Sequence, residues 1–442
     1  MKKCSSMCWH VIMRISARKE RIRMIIKLSL EEYNMQLSNR KKQVFLLYGS
    51  SVVGLLVGVL NSVLNTRVLS PELYGDVRYV QNIISFVSSI LLVGYFTSGS
   101  RLLAISKSDN YSRSIRGAMC IILCCALLIL MLTMSILYIV SIARGDDNLI
   151  SLYLIAIPVC GNALMLDYVN TTAQGDNHIG RIAIARCVPF SIYFIVAYFV
   201  FKLFGASPEL MLLMYNGIAV IILSLVISST NPSFKSLKQA FYELQKENKA
   251  YGFNVYLGSL IAVSTQYLAG IALGHFCDDN SNVGFYTLAL TLATPLTMLP
   301  SIIGTTYFKE FASSNHISKR ILFSSLGLTL LSFLLFIIAI QYVVSFLYNE
   351  SYSAVGIYAS FIAIGTSFHG LGDMLNRFLG AHAKGKEIRN GALACGIMAV
   401  FGNVVFVYLW GIYGAIATRI LSSMTYFIAM FYFYIRFSKK HE

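Results

Sequence analysis

Between residues 44 and 437 the chain repeats one pattern: a long apolar run, then a short polar stretch, then another apolar run. Within a run such as Ala118–Ile142 the apolar residues are continuous and do not alternate with polar ones. Lipid-facing β-strands alternate with a period of two, so the pattern excludes a β-barrel. Runs of ~20 residues are long enough to carry a helix across a hydrocarbon core ~30 Å thick. A helix also makes its backbone hydrogen bonds within its own segment, as the bilayer requires. Twelve spans follow: 44–69, 79–105, 115–143, 149–173, 182–204, 209–229, 251–276, 283–308, 320–348, 354–382, 388–410 and 412–436. The sequence therefore predicts an all-α, polytopic membrane protein with about 12 transmembrane helices.

Composition agrees: 56% of the 442 residues are hydrophobic, 13% are charged, and the mean hydropathy is +0.66. A soluble domain could not bury so much apolar side chain. The formal net charge of +16 at first suggests a nucleic-acid partner, but its placement argues against one. With the N-terminus inside, the segments 1–43, 106–117, 174–186, 230–250, 309–320, 383–389 and 436–442 hold 29 of the 36 Lys and Arg residues. The outer loops and their edges hold Arg67, Arg78, Arg144 and Lys202. That asymmetry puts both termini in the cytoplasm, and it accounts for the charge without nucleic acid. Most cysteines fall in apolar runs, and Cys277 stands alone in an outer loop, so no disulfide framework is expected. The basic, Met-rich start of the chain lacks the apolar core of a signal peptide. It reads either as a surface arm or as sequence upstream of a start at Met35.

Two loops recur at a constant offset. Leu69-Ser70-Pro71-Glu72-Leu73-Tyr74-Gly75 follows span one, and Asn282-Val283-Gly284-Phe285-Tyr286 follows span seven. Ala173-Gln174-Gly175 follows span four, and Ala383-Lys384-Gly385 follows span ten. Such self-similarity indicates two homologous halves of six spans each, both entering from the same side. The expected organisation is an N-terminal arm (1–43), an N-lobe (44–229), an amphipathic cytoplasmic linker (230–250) and a C-lobe (251–442). In the linker, Phe234, Leu237, Phe241 and Leu244 are expected on one face.

The stretch Arg67-Val68-Leu69-Ser70-Pro71-Glu72-Leu73-Tyr74-Gly75, with its counterpart Val283-Gly284-Phe285-Tyr286 before Pro295 and Pro300, resembles a signature of bacterial polysaccharide exporters. On these residues the chain is similar to the Wzx-type O-antigen flippases of the multidrug/oligosaccharidyl-lipid/polysaccharide (MOP) superfamily, over about residues 40–437. The resemblance implies a MATE-like fold, two parallel six-helix lobes around a central cavity, in the bacterial inner membrane. It implies as cargo an oligosaccharide on an undecaprenyl-diphosphate carrier, with membrane lipids as surroundings and room for polysaccharide polymerase machinery as a partner. Oligomeric state is left open.

No enzyme chemistry and no cofactor are expected. Gly380-Ala381-His382-Ala383-Lys384-Gly385-Lys386-Glu387 approaches a P-loop, but Glu387 stands where a hydroxyl must ligate Mg²⁺, and no strand precedes it. A flippase needs a wet cavity, with cations for phosphate and polar groups for sugar. Ionisable residues inside or at the ends of spans are therefore the candidates: Arg67, Arg101, Asp167, Asp373, Arg377 and Arg419. Each has a plainer alternative. Arg67 and Arg101 can snorkel to the interface. Asp373 and Arg377 lie i,i+4 and can neutralise one another. Asp167 and Arg377 sit at equivalent repeat positions and could pair across the lobes. Arg419 lies deepest, facing either the cavity or Glu209 at the equivalent N-lobe position. Gly54-x-x-x-Gly58 and Gly270-x-x-x-Gly274 read as close-packing motifs.

Among competing functions, a cation-coupled drug exporter of the same superfamily generally carries a carboxylate in span one or seven. Neither 44–69 nor 251–276 contains one. A peptidoglycan-precursor flippase is expected to have about fourteen spans, and a polymerase a large outer loop.

Overall fold

The computed structural model describes residue 49, residues 52–106 and residues 108–441. The expected arm 1–43 and the first residues of span one lie outside these. The described chain is a succession of helices: α1 Val52–Val68, α2 Pro71–Leu91, α3 Tyr95–Ile105, α4 Asp109–Arg144, α5 Asp147–Val159 and α6 Asn162–Gly175. Next come α7 Ile179–Phe204, α8 Pro208–Ser228, α9 Leu237–Glu247, α10 Phe253–Phe276, α11 Ser281–Thr306 and α12 Phe308–Ala312. The last are α13 Lys319–Leu347, α14 Ala354–Ala381 and α15 Gly385–His441.

Two of the twelve expected spans are broken and two others run together, each for a local reason. α2 and α3 form one span bent by 59° at Val93 and Gly94, both with positive φ. A side chain at Gly94 would strike the Gly252 carbonyl, so the bend is where the chain leading into α10 crosses the N-lobe. α5 stops after Pro158, and α6 resumes at Asn162. α15 joins the last two spans through Gly411, whose φ of 55° and ψ of −130° turn the chain between arms 385–410 and 412–441. Pro189, Pro295 and Pro300 stay inside continuous helices.

Helix starts follow ordinary capping rules. Ser70-Pro71-Glu72-Leu73 opens α2, and the same four residues, Ser207-Pro208-Glu209-Leu210, open α8. In both, the serine hydroxyl accepts from the leucine N–H three positions on, proline takes the first turn, and glutamate meets the positive end of the helix dipole.

α1–α8 and α10–α15 form two lobes, and the basic segments gather at one end of both. There Ser438 Oγ donates to the Asn315 carbonyl at 3.3 Å, Arg101 is ion-paired to Glu247, and Arg113 Nε donates to the Asn231 carbonyl at 3.1 Å. We call this the basic face, and the other end the opposite face. On the basic face α9 packs Ala240 and Leu244 onto the N-lobe. Phe234 departs from expectation: it precedes the helix and is exposed.

Among the described residues, most hydrogen bonds that cross directly between the lobes lie on the opposite face. Tyr352 donates to the Leu69 carbonyl at 2.9 Å, and Asn349 Nδ2 donates to the Thr66 and Arg67 carbonyls at 3.3 and 3.2 Å. The Ser62 and Tyr348 hydroxyls share a hydrogen bond at 2.9 Å, and Asn280 Nδ2 donates to Asp76 at 2.6 Å. The starts of α2 and α11 lie so close that a side chain at Gly75 would collide with the Asn280 backbone. On the basic face, contacts between the lobes run through α9, the turn before α10 and the first turn of α10: Asn248 Nδ2 donates to the Val93 carbonyl at 3.1 Å, Ser98 Oγ donates to Asn248 Oδ1 at 3.2 Å, and the Tyr256 hydroxyl donates to the Ile90 carbonyl at 2.7 Å. The lobes thus meet through many hydrogen bonds on one face, and through the strap and the start of α10 on the other.

Packing motifs divide. Gly270 and Gly274 of α10 admit Asn82 and Tyr79 of α2 at distances no side chain would allow. A side chain added at Gly54 or Gly58 would meet no other described residue within 4 Å, so the close packing expected at these glycines is not seen.

Candidate functional site: a two-part central cavity

A polar stripe inside an otherwise apolar helix builds the first part. Arg78, Gln81, Asn82 and Ser85 recur at helical spacing along α2 and line a cavity of about 340 Å³. Asn162 of α6, Tyr215 and Asn216 of α8, and Gln266, Tyr267 and Gly270 of α10 complete much of its wall. Arg78 is its centre. Its Nε donates to the Tyr74 hydroxyl and its Nη1 to Gln81 Oε1, both at 2.8 Å. The guanidinium also lies 4.9 Å from the Tyr74 ring centre and 5.8 Å from that of Tyr215. Such contacts to π-faces stabilise the cation without neutralising it. Among the described residues Arg78 makes no ion pair.

The second part lies in the C-lobe, a cavity of about 470 Å³ lined by His369, Asp373 and Asn376 of α14 and Asn403, Arg419 and Tyr426 of α15, among others. Gln266, Tyr286, Leu290 and Thr294 line both parts, so they form one chamber. Tyr426 organises this half. Its ring stacks on His369 at 4.8 Å, its hydroxyl donates to Asp373 at 3.1 Å, and Asn376 Nδ2 donates to that hydroxyl at 2.7 Å.

The six candidates from the sequence do not share one place. Arg419 and Asp373 both line the C-lobe cavity, and Asp373 has Arg377 and Arg419 as its cationic neighbours. Arg377, one turn beyond Asp373, is exposed and lays its stem beside Gly304. Asp167 is half-buried in α6 near Tyr267, with Arg186 as its cationic neighbour, so it does not meet Arg377. Arg67 is exposed on the opposite face, where its Nε donates to the Leu347 carbonyl at 3.2 Å and its Nη2 to that of Phe346 at 3.4 Å; it belongs to the lobe contacts there. Arg101 is exposed on the basic face, paired with Glu247 and 5.1 Å from the Tyr251 ring centre. Glu209 accepts a hydrogen bond from Ser151 at 2.8 Å, not one from Arg419.

Arg78 escaped the sequence reading because span two was started at residue 79, which left the arginine in a loop. The signal was present: polar residues at i, i+3, i+4 and i+7 from Arg78 on one face of an apolar helix. The P-loop-like segment 380–387 is the turn between α14 and α15, closed by His382, whose ring nitrogens lie 2.9 Å from the Phe378 carbonyl and 3.0 Å from that of Ser314. Among the described residues no group of three or more His, Cys, Asp or Glu could hold a metal.

No curated protein matches the sequence. Solved structures match the fold at low identity. The chain is similar to the lipid II flippase MurJ in an inward closed conformation, at 12% identity, with a TM-score of 0.68 over 89% of this chain and 90% of that one. It is similar to a multidrug resistance MATE family transporter of the MOP superfamily in an inward-facing conformation, at 14% identity, with a TM-score of 0.61 over 87% and 95%. An outward-facing conformation of such a transporter gives 0.52 at 13% identity, over 91% and 97%. A family profile described as "Polysaccharide biosynthesis protein" matches residues 41–308, more than half of the chain. The chain therefore belongs to the polysaccharide biosynthesis protein family and is a multi-pass membrane protein with the transporter fold of the MOP superfamily.

Proposed function

We propose that this protein is a flippase that carries undecaprenyl-diphosphate-linked oligosaccharide units, of the O-antigen or a related surface polysaccharide, from the cytoplasmic to the periplasmic leaflet of a bacterial inner membrane. One observation carries this reading: Arg78 is a cation inside the chamber with only tyrosine and glutamine as partners. An unneutralised guanidinium in a membrane interior is costly, and a site that keeps one is suited to an anion. A diphosphate meets it with charge-assisted, bidentate hydrogen bonds. A chamber built for cationic drugs would offer carboxylates instead, and among its lining residues Asp373 is the sole carboxylate, with Arg377 and Arg419 as its cationic neighbours.

On this reading the basic face is cytoplasmic. The seal at Tyr352, Asn349 and Asn280 is then the periplasmic gate, and the structure is an inward-facing state ready to load. Lobes 44–229 and 251–442 rock about the chamber, and residues 230–250 are the strap that keeps them together on the loading side. A cysteine at exposed Lys246 should be labelled from the cytoplasm, and one at exposed Asp278 from the periplasm. Insertions at Asn280 or Asn349 are poor topology probes, since both residues hold the seal.

The decisive test is in the host. Deletion of the gene should abolish surface polysaccharide while single lipid-linked units accumulate inside. Arg78→Ala should reproduce the deletion at normal membrane abundance, and Arg78→Lys should restore part of the polysaccharide. A deletion strain with normal polysaccharide but raised sensitivity to cationic drugs would replace this reading with the drug exporter.

A further inference from the structure

The two halves of the chamber differ in which hydrogen-bonding groups they leave unused. In the N-lobe half, the buried atoms lacking a partner are Gln81 Nε2 and Asn216 Nδ2, both donors. The Gln81 amide is held that way round because its Oε1 already accepts from Arg78. In the C-lobe half they are Arg419 Nε, His369 Nδ1 and Asn403 Oδ1. That set contains a donor, an acceptor and an imidazole nitrogen that serves as either. A buried polar atom left without a partner costs free energy, so three on one wall of one cavity mark a place where a ligand supplies the missing bonds.

Charge separates the halves further. No carboxylate lines the cavity of Arg78, whereas Arg419 shares its cavity with Asp373, whose cationic neighbours are Arg377 and Arg419. A wall whose buried unpartnered atoms are donors, beside a cation that makes no ion pair, suits an anion. A balanced wall that both donates and accepts suits a neutral group that does both, and a sugar hydroxyl is such a group. A phosphate, which only accepts, would leave Asn403 Oδ1 unpaired and meet Asp373 repulsively.

We infer that the C-lobe half of the chamber is a sugar subsite, in which Arg419, His369 and Asn403 bind hydroxyls of a neutral sugar close to the diphosphate. The inference rests on the flippase reading above and goes beyond it by assigning Arg419 to the glycan and not to the phosphate. Tyr426 is a positioning residue here: stacked on His369 and bonded to Asp373 and Asn376, it fixes the edges that the others present to the ligand. The chamber is continuous through Gln266, Tyr286, Leu290 and Thr294, so one molecule can occupy both halves.

The test compares two ligands on purified protein in detergent: undecaprenyl diphosphate, and the complete lipid-linked repeat unit extracted from the host. Binding is read as a dissociation constant for wild type, Asn403→Leu and His369→Gln. Wild type should bind the glycosylated lipid about 10-fold or more tightly than the bare diphosphate. Each C-lobe variant should lose most of that preference, while its affinity for undecaprenyl diphosphate stays within about twofold of wild type. Arg78→Ala should weaken both ligands together. The two C-lobe positions lie on different helices, α14 and α15, so if one variant misfolds the other still decides. Variants that weaken both lipids equally, or a wild type with no preference for the glycan, would overturn the sugar subsite and leave the flippase reading standing. A wild type that binds neither lipid would overturn both.

Discussion

Arg78 and Arg419 are both arginines on helices that line one chamber, yet their surroundings are opposite. Arg78 sits among tyrosines in a cavity that no carboxylate lines, and Arg419 shares its cavity with Asp373. The repeat that built the lobes did not copy these charges. At the 209-residue offset of the glycine loops, Arg78 corresponds to Thr287; at the 210-residue offset of the loops after spans four and ten, Arg419 corresponds to Glu209. The two halves thus share a scaffold, while the inner walls they present to the chamber differ. Inner walls that differ can distinguish the two ends of a cargo, whereas matched walls could only grip it.

The largest test of this contrast is Arg78→Ala. Loss of this chamber cation, which makes no ion pair among the described residues, should lower transport by roughly 30- to 100-fold, measured as surface polysaccharide per unit of membrane protein. Arg78→Lys should fall between, because the charge persists without the planar fork. If Arg419→Ala proves as damaging as Arg78→Ala toward undecaprenyl diphosphate itself, the two walls are alike after all.

Next comes the scaffold that the walls share. Gly75→Val places a branched side chain against the Asn280 backbone and should destabilise the sealed form by about 2 kcal/mol or more. The measurement is thermal unfolding in detergent, with Gly54→Val, which meets open space, as a control expected within about 0.5 kcal/mol of wild type. A smaller effect belongs to Tyr352→Phe, which removes the hydroxyl that donates to Leu69. A lost hydrogen bond of ~1 kcal/mol should raise by about fivefold the periplasmic labelling rate of a cysteine at Thr287, a chamber residue. An unchanged rate would show that the seal does not depend on that bond.

The spans and the repeat were legible because bilayer thickness and backbone satisfaction leave a sequence little choice. The breaks were less so. Pro158 announces its own, but the bend at Val93 and Gly94 is imposed by the approach of Gly252, nearly 160 positions later in the chain. The site was partly legible. Arg419 and Asp373 stood out as charges deep in apolar runs, and both line the chamber. Arg67 and Arg101 carry the same charge in similar runs, but they lie at span ends, and only the folded chain shows that their partners are the Leu347 carbonyl and Glu247. Arg78 shows the reverse: a boundary misplaced by a few residues moved a chamber arginine into a loop.

The meeting of the two glycine loops has a consequence for how such a molecule can change. A side chain at Gly75 would strike Asn280, and one at Gly284 would press on the Pro71 carbonyl. Asn280 lies 209 residues after Pro71, as Gly284 does after Gly75, so the contact is reciprocal. It is isologous, the kind of joint found in a two-fold homodimer, here made within one chain. In such a joint each mutation has a mirror-image site, and a change tolerated on one side predicts what the other can accept. Because both copies are now encoded separately, one ledge can be enlarged and the other trimmed, a freedom that no true homodimer possesses.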